Sequence, residues 1–368
     1  MGAGIWIYWF VSLPQGVLKK VEELLTLQIG SCMKPFRNAT LWKSEAEKEK
    51  LSFSRAYSLT LSPQIIYTKS KLLSQLVSSK VYKQLEFQAV GNWWIYDSST
   101  TVTLKRLPNG REDIFEDSNI DNRSKRSLMK FLKFVVDYQS HAEIWEPHAD
   151  SSFPEFLTSQ FKLPPNLQTV IMALALSLDT PEETKVGYAL PRIARHLTSI
   201  GVFGPGFGAV VPRWGGGAEI AQVACRAGAV GGGVYVLGTG IKSSQRNADG
   251  KTDVILSNGE TVKTTHLASS IEDEARPTAD AKVVSKIVAV VSSPLPSLFE
   301  SSIAGFPLAA VSVVVFPPKT LDIEGHTQTH PVYIMVHSSE TGECPAGQCQ
   351  YQTPLSLSLV LFNALHDD

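Results

Sequence analysis

Cysteine is scarce, with four in 368 residues. Cys32, Cys225, Cys344 and Cys349 are too few for a disulfide scaffold, and their number suits the reducing cytosol. Cys344 and Cys349 stand in GECPAGQC with four residues between them. No second pair completes a set of four ligands, so reduced thiols near a turn are expected rather than zinc. An excess of either charge is also missing, since 34 Lys and Arg face 35 Asp and Glu for a formal net charge of −1. No global field draws the chain to nucleic acid or to an anionic membrane, and any basic surface must be local. Long apolar runs are absent as well. The opening GIWIYWFVSLPQG lacks a basic leading region and falls far short of the roughly 20 residues that span a bilayer. Catalytic signatures are wanting too. There is no GxSxG, no HExxH and no phosphate loop ending in Lys-Ser/Thr, and none of the eight histidines lies in an elbow or a metal pair. A hydrolase is not expected. His196, near Arg192 and Arg195 in a helical stretch, reads as a helix-end cation or partner contact rather than a base.

What remains is an ordinary globular composition, 43% apolar and 19% charged, long enough for one large core or two domains. The most informative stretch is 212–237, PRWGGGAEIAQVACRAGAVGGGVYVL. Gly215–Gly217 permit a turn that side chains forbid. Residues 219–229 have helix-forming composition, with Glu219 in the first turn where the dipole favours an anion. Gly231–Gly233 stop that helix, and Val234, Tyr235, Val236 and Leu237 read as a buried strand. Glu219 and Arg226, seven residues apart, lie on roughly one helix face.

Elsewhere the pattern alternates between sheet and helix. A helix is expected over Val17–Leu27, followed by the charged run Lys43–Lys50. The stretch 53–96 reads as an arginine-containing strand, then a helix from Pro63 whose apolar stripe is Ile65, Ile66, Leu72, Leu73, Leu76 and Val77. Leu85 to Tyr96 reads as two strands joined at Gly91-Asn92. Residues 129–141, 152–179 and 191–201 are helical. Met129, Leu132, Val135 and Val136 share one face there, and Val170, Leu174, Leu176 and Ser177 approximate another. A hairpin is expected around Asn258-Gly259, with β-branched strands in 281–296, 309–318 and 331–339. GVFGPGFGAV (201–210) and VYVLGTGIKSSQ (234–245) imitate nucleotide-binding glycine loops. Neither combines strand, turn and helix, so turn glycines are the better reading.

The 212–237 block closely resembles the Rab escort protein and Rab GDP-dissociation inhibitor superfamily. There a glycine turn is followed by Gly-Glu-Leu-Pro-Gln, Phe-x-Arg and Gly-Gly-x-Tyr; Glu219, Gln222, Arg226, Gly232, Gly233 and Tyr235 match that spacing. FSRAYSLTLSPQIIYTKSKLLSQLVSSKVYKQLEFQAVGNWWIY (53–96) also follows the family pattern. The resemblance covers about residues 52–350. It implies an α/β fold: a flavin-monooxygenase-like sheet domain, here without the N-terminal dinucleotide-type turn, and an inserted small helical domain. The implied division is a divergent or mis-started segment 1–50, a discontinuous Rab-binding sheet domain of 51–118 and 202–368, and a helical domain of 119–201 for prenyl lipid and transferase docking. Escort relatives usually continue past the equivalent of this C-terminal end.

The resemblance further implies binding rather than bond-making. The partners would be GDP-bound Rab GTPases, the α/β dimer of Rab geranylgeranyltransferase, the geranylgeranyl lipid and, transiently, the membrane. Nucleic acid, metal and cofactor are not expected, and the location would be cytoplasmic. The implied Rab-binding platform is Glu219, Gln222, Arg226, Val234, Tyr235 and Val236, with Arg55 and Tyr57 beside it. Val234 and Val236 replace the family's frequent Thr and Met, and Ser199 replaces the Arg of its Arg-Tyr-Gly. Met129, Leu132, Val136, Leu174 and His196 would serve lipid and transferase docking. Three features tilt the resemblance to the fungal-type escort branch: an insertion within 199–219, the segment SSETGECPAGQCQ, and the loosened Ala-Glu-Ile-Ala-Gln-Val-Ala. An inhibitor proper is one alternative. An FAD-dependent oxidoreductase is the other, opposed by the missing phosphate-binding turn.

Overall fold

The computed structural model describes residues 51–60, 63–98, 103–108, 120–236, 238–268, 284–300, 308–323 and 325–356. The expected helix Val17–Leu27, Leu237 and residues 357–368 lie outside them. The described residues fall into two compact units: 57–217 with 284–356, and 51–56 with 218–268.

The larger unit is built on one sheet. Its strands are β1 (Ile66–Tyr67), β2 (Phe87–Asp97), β3 (Thr103–Arg106), β4 (Ala209–Pro212), β8 (Val284–Val291), β9 (Val311–Phe316), β12 (Val332–Ser338) and β13 (Cys349–Ser356). The spatial order is β1-β4-β2-β9-β12-β13-β8, with β3 also paired to β2, and the short β10 (Asp322–Ile323) and β11 (His326–Thr327) form a separate antiparallel pair. β2 and β9 run parallel and the other pairs antiparallel. β9 is the β-branched run VSVVVF, buried along almost its whole length, as a strand covered on both faces requires. Val311, Val313 and Val315 join the core beneath the helices. Val314 faces the other way, with Phe299, Val336 and Cys349.

After α1 (Lys71–Ser78), the helices α2 (Asn122–Val136), α3 (Ala142–Trp145), α4 (Phe153–Phe161), α5 (Pro165–Leu174) and α6 (Val186–Ser199) cover the first face. Asp121 caps α2, its carboxylate accepting from the backbone N–H groups of Arg123 and Ser124. Phe131, Phe134, Phe153, Phe156 and Phe161 interlock with ring centroids 5.0–6.4 Å apart, within the range where aromatic pairs attract. The smaller unit holds α7, which opens at the boundary (Gly217–Val230), and a three-stranded antiparallel sheet of β5 (Ile241–Arg246), β6 (Thr252–Leu256) and β7 (Thr261–Thr264). The turn at Asn258-Gly259 joins β6 to β7, as the sequence predicts, with Gly259 at φ 90°.

Four local expectations are corrected. Residues 53–60 form no strand; Ser54–Ala56 is a single 3-10 turn. No helix starts at Pro63, because Ile66 and Tyr67 pair with Val210 and Ala209 as a strand, and Ser70 caps the helix at its N–H of Leu73 instead. Leu73 and Leu76 are then its buried residues, while Leu72 and Val77 are exposed. Gly91-Asn92 is not a reversal but a bulge inside one continuous strand. A Cβ on Gly91 would overlap Ala309, so glycine serves a close approach there. The Asn92 amide donates to the carbonyls of Leu298 and Glu300 at 2.8 Å each.

The fourth correction is the phase of α2. Its buried residues are Leu128, Phe131, Phe134 and Val135. Of the face read from sequence only Val135 is inside; Met129 and Leu132 are half-buried and Val136 is 49% exposed. The phenylalanines bury more apolar area than the competing stripe and set the rotation. In the same way α5 ends at Leu174, and Leu176 takes a left-handed turn at φ 49° rather than extending the helix face.

Candidate functional site

The site is built from the end of α7. Gly228, Ala229, Gly231, Gly232 and Gly233 close it with paired bonds. The Gly233 N–H reaches the Gly228 carbonyl at 2.8 Å and the Gly232 N–H reaches that of Ala229 at 3.0 Å, with Gly232 at φ 89°. This is a Schellman reversal, which a left-handed glycine permits. The chain then returns toward the helix, and the Tyr235 ring lies over Gly228. A methyl on Gly228 would overlap the phenol oxygen.

That geometry overturns the expected buried strand at 234–236. These residues pair with no strand, and Val234 and Val236 are 87% and 60% exposed. The glycines consume the local chain in a reversal, so strand-forming side chains are left without a neighbour. Tyr235 is half-buried between two outward valines, and Val230 at the helix end is 91% exposed. Exposed apolar side chains grouped this way suit a protein partner.

Glu219 and Gln222 stand one turn apart on α7, the Gln222 amide donating to Glu219 Oε1 at 3.4 Å. Burial raises the Glu219 carboxyl above its ordinary range, and the Arg226 guanidinium opposes the shift. Arg226 itself is exposed. The structure therefore brings Glu219, Gln222, Arg226, Val234, Tyr235 and Val236 onto one helix and its returning segment. Arg55 is exposed in its 3-10 turn, whereas Tyr57 belongs to the other unit, its hydroxyl donating to Gln348 Oε1 at 2.9 Å. Gly228 and Val230 were not singled out from sequence. A glycine inside a helical run, seven residues before a tyrosine, was the available signal.

The second set of residues is divided. Met129 and Val136 lie on the outward arc of α2, Leu132 packs half-buried against the core, and Leu174 and His196 are buried. His196 is not a helix-end cation. Its ring packs edge-on to Trp93 at 4.8 Å and to Tyr67 at 5.8 Å, and burial pushes its pKa down to about 4. It is neutral at physiological pH and presents no surface to a partner.

Two further pairs of polar groups, His337 with Glu343 and Cys344 with Cys349, are buried. His337 Nδ1 meets the Glu343 carboxylate, and both side chains are buried. Cys344 and Cys349 are free thiols, pushed up by burial to about 12 and about 11, which leaves them protonated and unreactive. Among the described residues no group of three or more His, Cys, Asp or Glu is arranged to hold a metal. Gly201, Gly204 and Gly206 occupy a positive-φ turn between α6 and β4, and Gly238 and Gly240 follow no strand, so both are turn glycines. Among the described residues no helix is long and apolar enough to cross a membrane.

A family model described as GDP dissociation inhibitor matches residues 28–310. The chain is 32% identical over 318 residues to the Rab proteins geranylgeranyltransferase component A of Saccharomyces cerevisiae, covering 85% of this chain and 50% of that protein. To the protein of the same name in Candida albicans it is 28% identical over 322 residues, covering 85% and 48%. The chain thus spans about half the length of these curated relatives. The fold is similar to the crystal structure of Rab GDI from Plasmodium falciparum, with a TM-score of 0.59 at 17% identity, covering 91% of this chain and 73% of that one. The resemblance carried by 53–96 and 212–237 is borne out, and the flavin-dependent oxidoreductase is not favoured.

Proposed function

Because the chain belongs to the GDP dissociation inhibitor family, we propose that it is an escort protein for Rab GTPases. It binds the GDP-bound GTPase, presents it to the α/β dimer of Rab geranylgeranyltransferase and carries the prenylated product to membranes. It contributes binding surfaces and no catalytic group. The likeness to component A proteins supports the escort branch over an inhibitor proper.

The observation that carries this reading is the exposed end of α7. A half-buried carboxylate, an exposed guanidinium and two outward valines are held on a glycine-closed reversal. In this reading Glu219, Gln222, Arg226, Val234, Tyr235 and Val236 grip the GTPase, and Arg55 of the same unit adds to the grip. Preferential hold on the GDP form slows nucleotide release by linkage. The helical part, 119–201, receives the transferase and the lipid, and the sheet part, 51–118 and 202–368, receives the GTPase. Met129 and Val136 act from the surface of α2 and Leu132 from its flank, while Leu174 and His196, both buried, contribute only through packing. A C20 chain buried at about 0.8 kcal/mol per CH₂ supplies several kcal/mol even when partly covered.

The test is direct binding of a GDP-loaded Rab to Glu219→Ala and Arg226→Ala. Each is expected to weaken binding by roughly tenfold, about 1.4 kcal/mol, with the thermal melt unchanged. Normal binding by both variants would remove the platform assignment.

A further inference from the structure

The outward arc of α2 carries a charge pattern that the escort reading does not use. Arg123, Arg126, Lys130 and Lys133 follow one another at intervals of three and four and are all exposed. They form one stripe about 15 Å long at 1.5 Å per residue. Among the described residues none of the four side-chain cations is in an ion pair, the Asp121 carboxylate meeting Arg123 only at its backbone N–H. No Asp or Glu occurs anywhere in the helix, in a chain whose formal net charge is −1. Beside the stripe lie Met129 and Val136, the first half-exposed and the second 49% exposed. The opposite side is locked by Leu128, Phe131, Phe134 and Val135. The Lys130 ammonium sits 5.6 Å from the Phe161 ring centre, so its stem is laid along the core.

We propose that this arc of α2 docks on membranes bearing anionic lipid. A basic row beside an exposed apolar row on one rigid helix is the pattern that lies in a headgroup layer. Charge complementarity names an anionic partner. The exposed row carries no aromatic side chain, which favours a fluid surface over an acidic protein, because protein hot spots use aromatic anchors. The attraction is short-ranged and salt-sensitive, and without a lipid anchor of its own the contact is reversible. Glu112, Asp113, Glu116 and Asp117 precede the helix in sequence and lie outside the described residues. Binding measured on the full chain includes whatever screening they exert. The inference deepens the proposed function, resting on its clause that the protein visits membranes. It gives that visit a face and a lipid chemistry.

The experiment is co-sedimentation of the full chain with vesicles, without GTPase or transferase. Vesicles of phosphatidylcholine alone are compared with vesicles carrying 30 mol% phosphatidylserine, at about 50 mM and about 500 mM NaCl. Binding is expected only to the anionic vesicles and only at low salt. The triple variant Arg126→Glu, Lys130→Glu, Lys133→Glu is expected to bind at least about tenfold less. The milder Arg126→Gln, Lys130→Gln, Lys133→Gln guards against misfolding and is expected to lose most of the same signal. A fluorophore on Val136→Cys should shift to the blue on anionic vesicles. Equal binding to both vesicle types overturns the proposal. So does an undiminished signal in the triple variants, even if they lose capture by the transferase, which would make the arc a protein-docking face. Failure here leaves GTPase binding untouched, and failure of GTPase binding leaves the vesicle result standing.

Discussion

His196 shows how far a residue's meaning depends on its surroundings. In PRIARHLTSIG it sits among arginines and reads as a cation. In the fold it is enclosed against Trp93, about a hundred positions earlier in the chain, and held neutral. That contact is tertiary, so no local pattern could disclose it. A pH dependence follows. The ring's pKa falls from 6.5 in the unfolded chain to about 4 in the folded one. The unfolded state therefore takes up a proton that the native state refuses. This contribution to stability is complete above the unfolded value and is lost as pH falls toward the folded one. His196→Phe keeps an aromatic ring against Trp93 and removes the titration. The drop in unfolding free energy between pH 7.5 and pH 5 is expected to shrink by about 2 kcal/mol in the variant. Denaturant titrations at the two pH values measure it, and identical pH dependence in both proteins would refute it.

At the scale of elements, the sequence was most readable where chemistry is local. The β-branched runs at 284–291, 311–316 and 332–338 became strands, and Asn258-Gly259 became a hairpin turn. It was least readable where two local signals competed. Gly91-Asn92 looks like a turn, yet the ladder runs through it because Ala309 needs the space. Helix α2 offered two apolar stripes, and only packing against the phenylalanines of α4 decides between them. The C-terminal reversal of α7 belongs to this scale, since it needs glycines, helix end and Tyr235 together. Gly228→Ala tests it. Helix propensity alone favours the alanine by about 1 kcal/mol, but the added methyl displaces the Tyr235 ring. GTPase binding is expected to fall to the level of Tyr235→Ala, and the double variant should be no worse than either single one. Undiminished binding by Gly228→Ala would show that the ring's seat is irrelevant to the site.

At the scale of the molecule, the family was legible from one glycine-rich block and one strand–helix stretch, because their spacing encodes a particular backbone path. The residues proposed from the sequence do lie together on α7 and its returning segment, but in a form that no local pattern disclosed. A strand was expected at 234–236, and an exposed return of the chain is found. The reversal leaves Val234 and Val236 on the surface, where a buried strand would have hidden them. The central claim is that this chain, spanning about half of its curated relatives, acts by presenting a GTPase to a prenyltransferase. The most direct measurement mixes it with a GDP-loaded Rab, the transferase dimer and labelled geranylgeranyl diphosphate. Lipid incorporation that requires this chain, and that falls with Arg226→Ala, is the predicted result. Incorporation that is the same with and without the chain would contradict it.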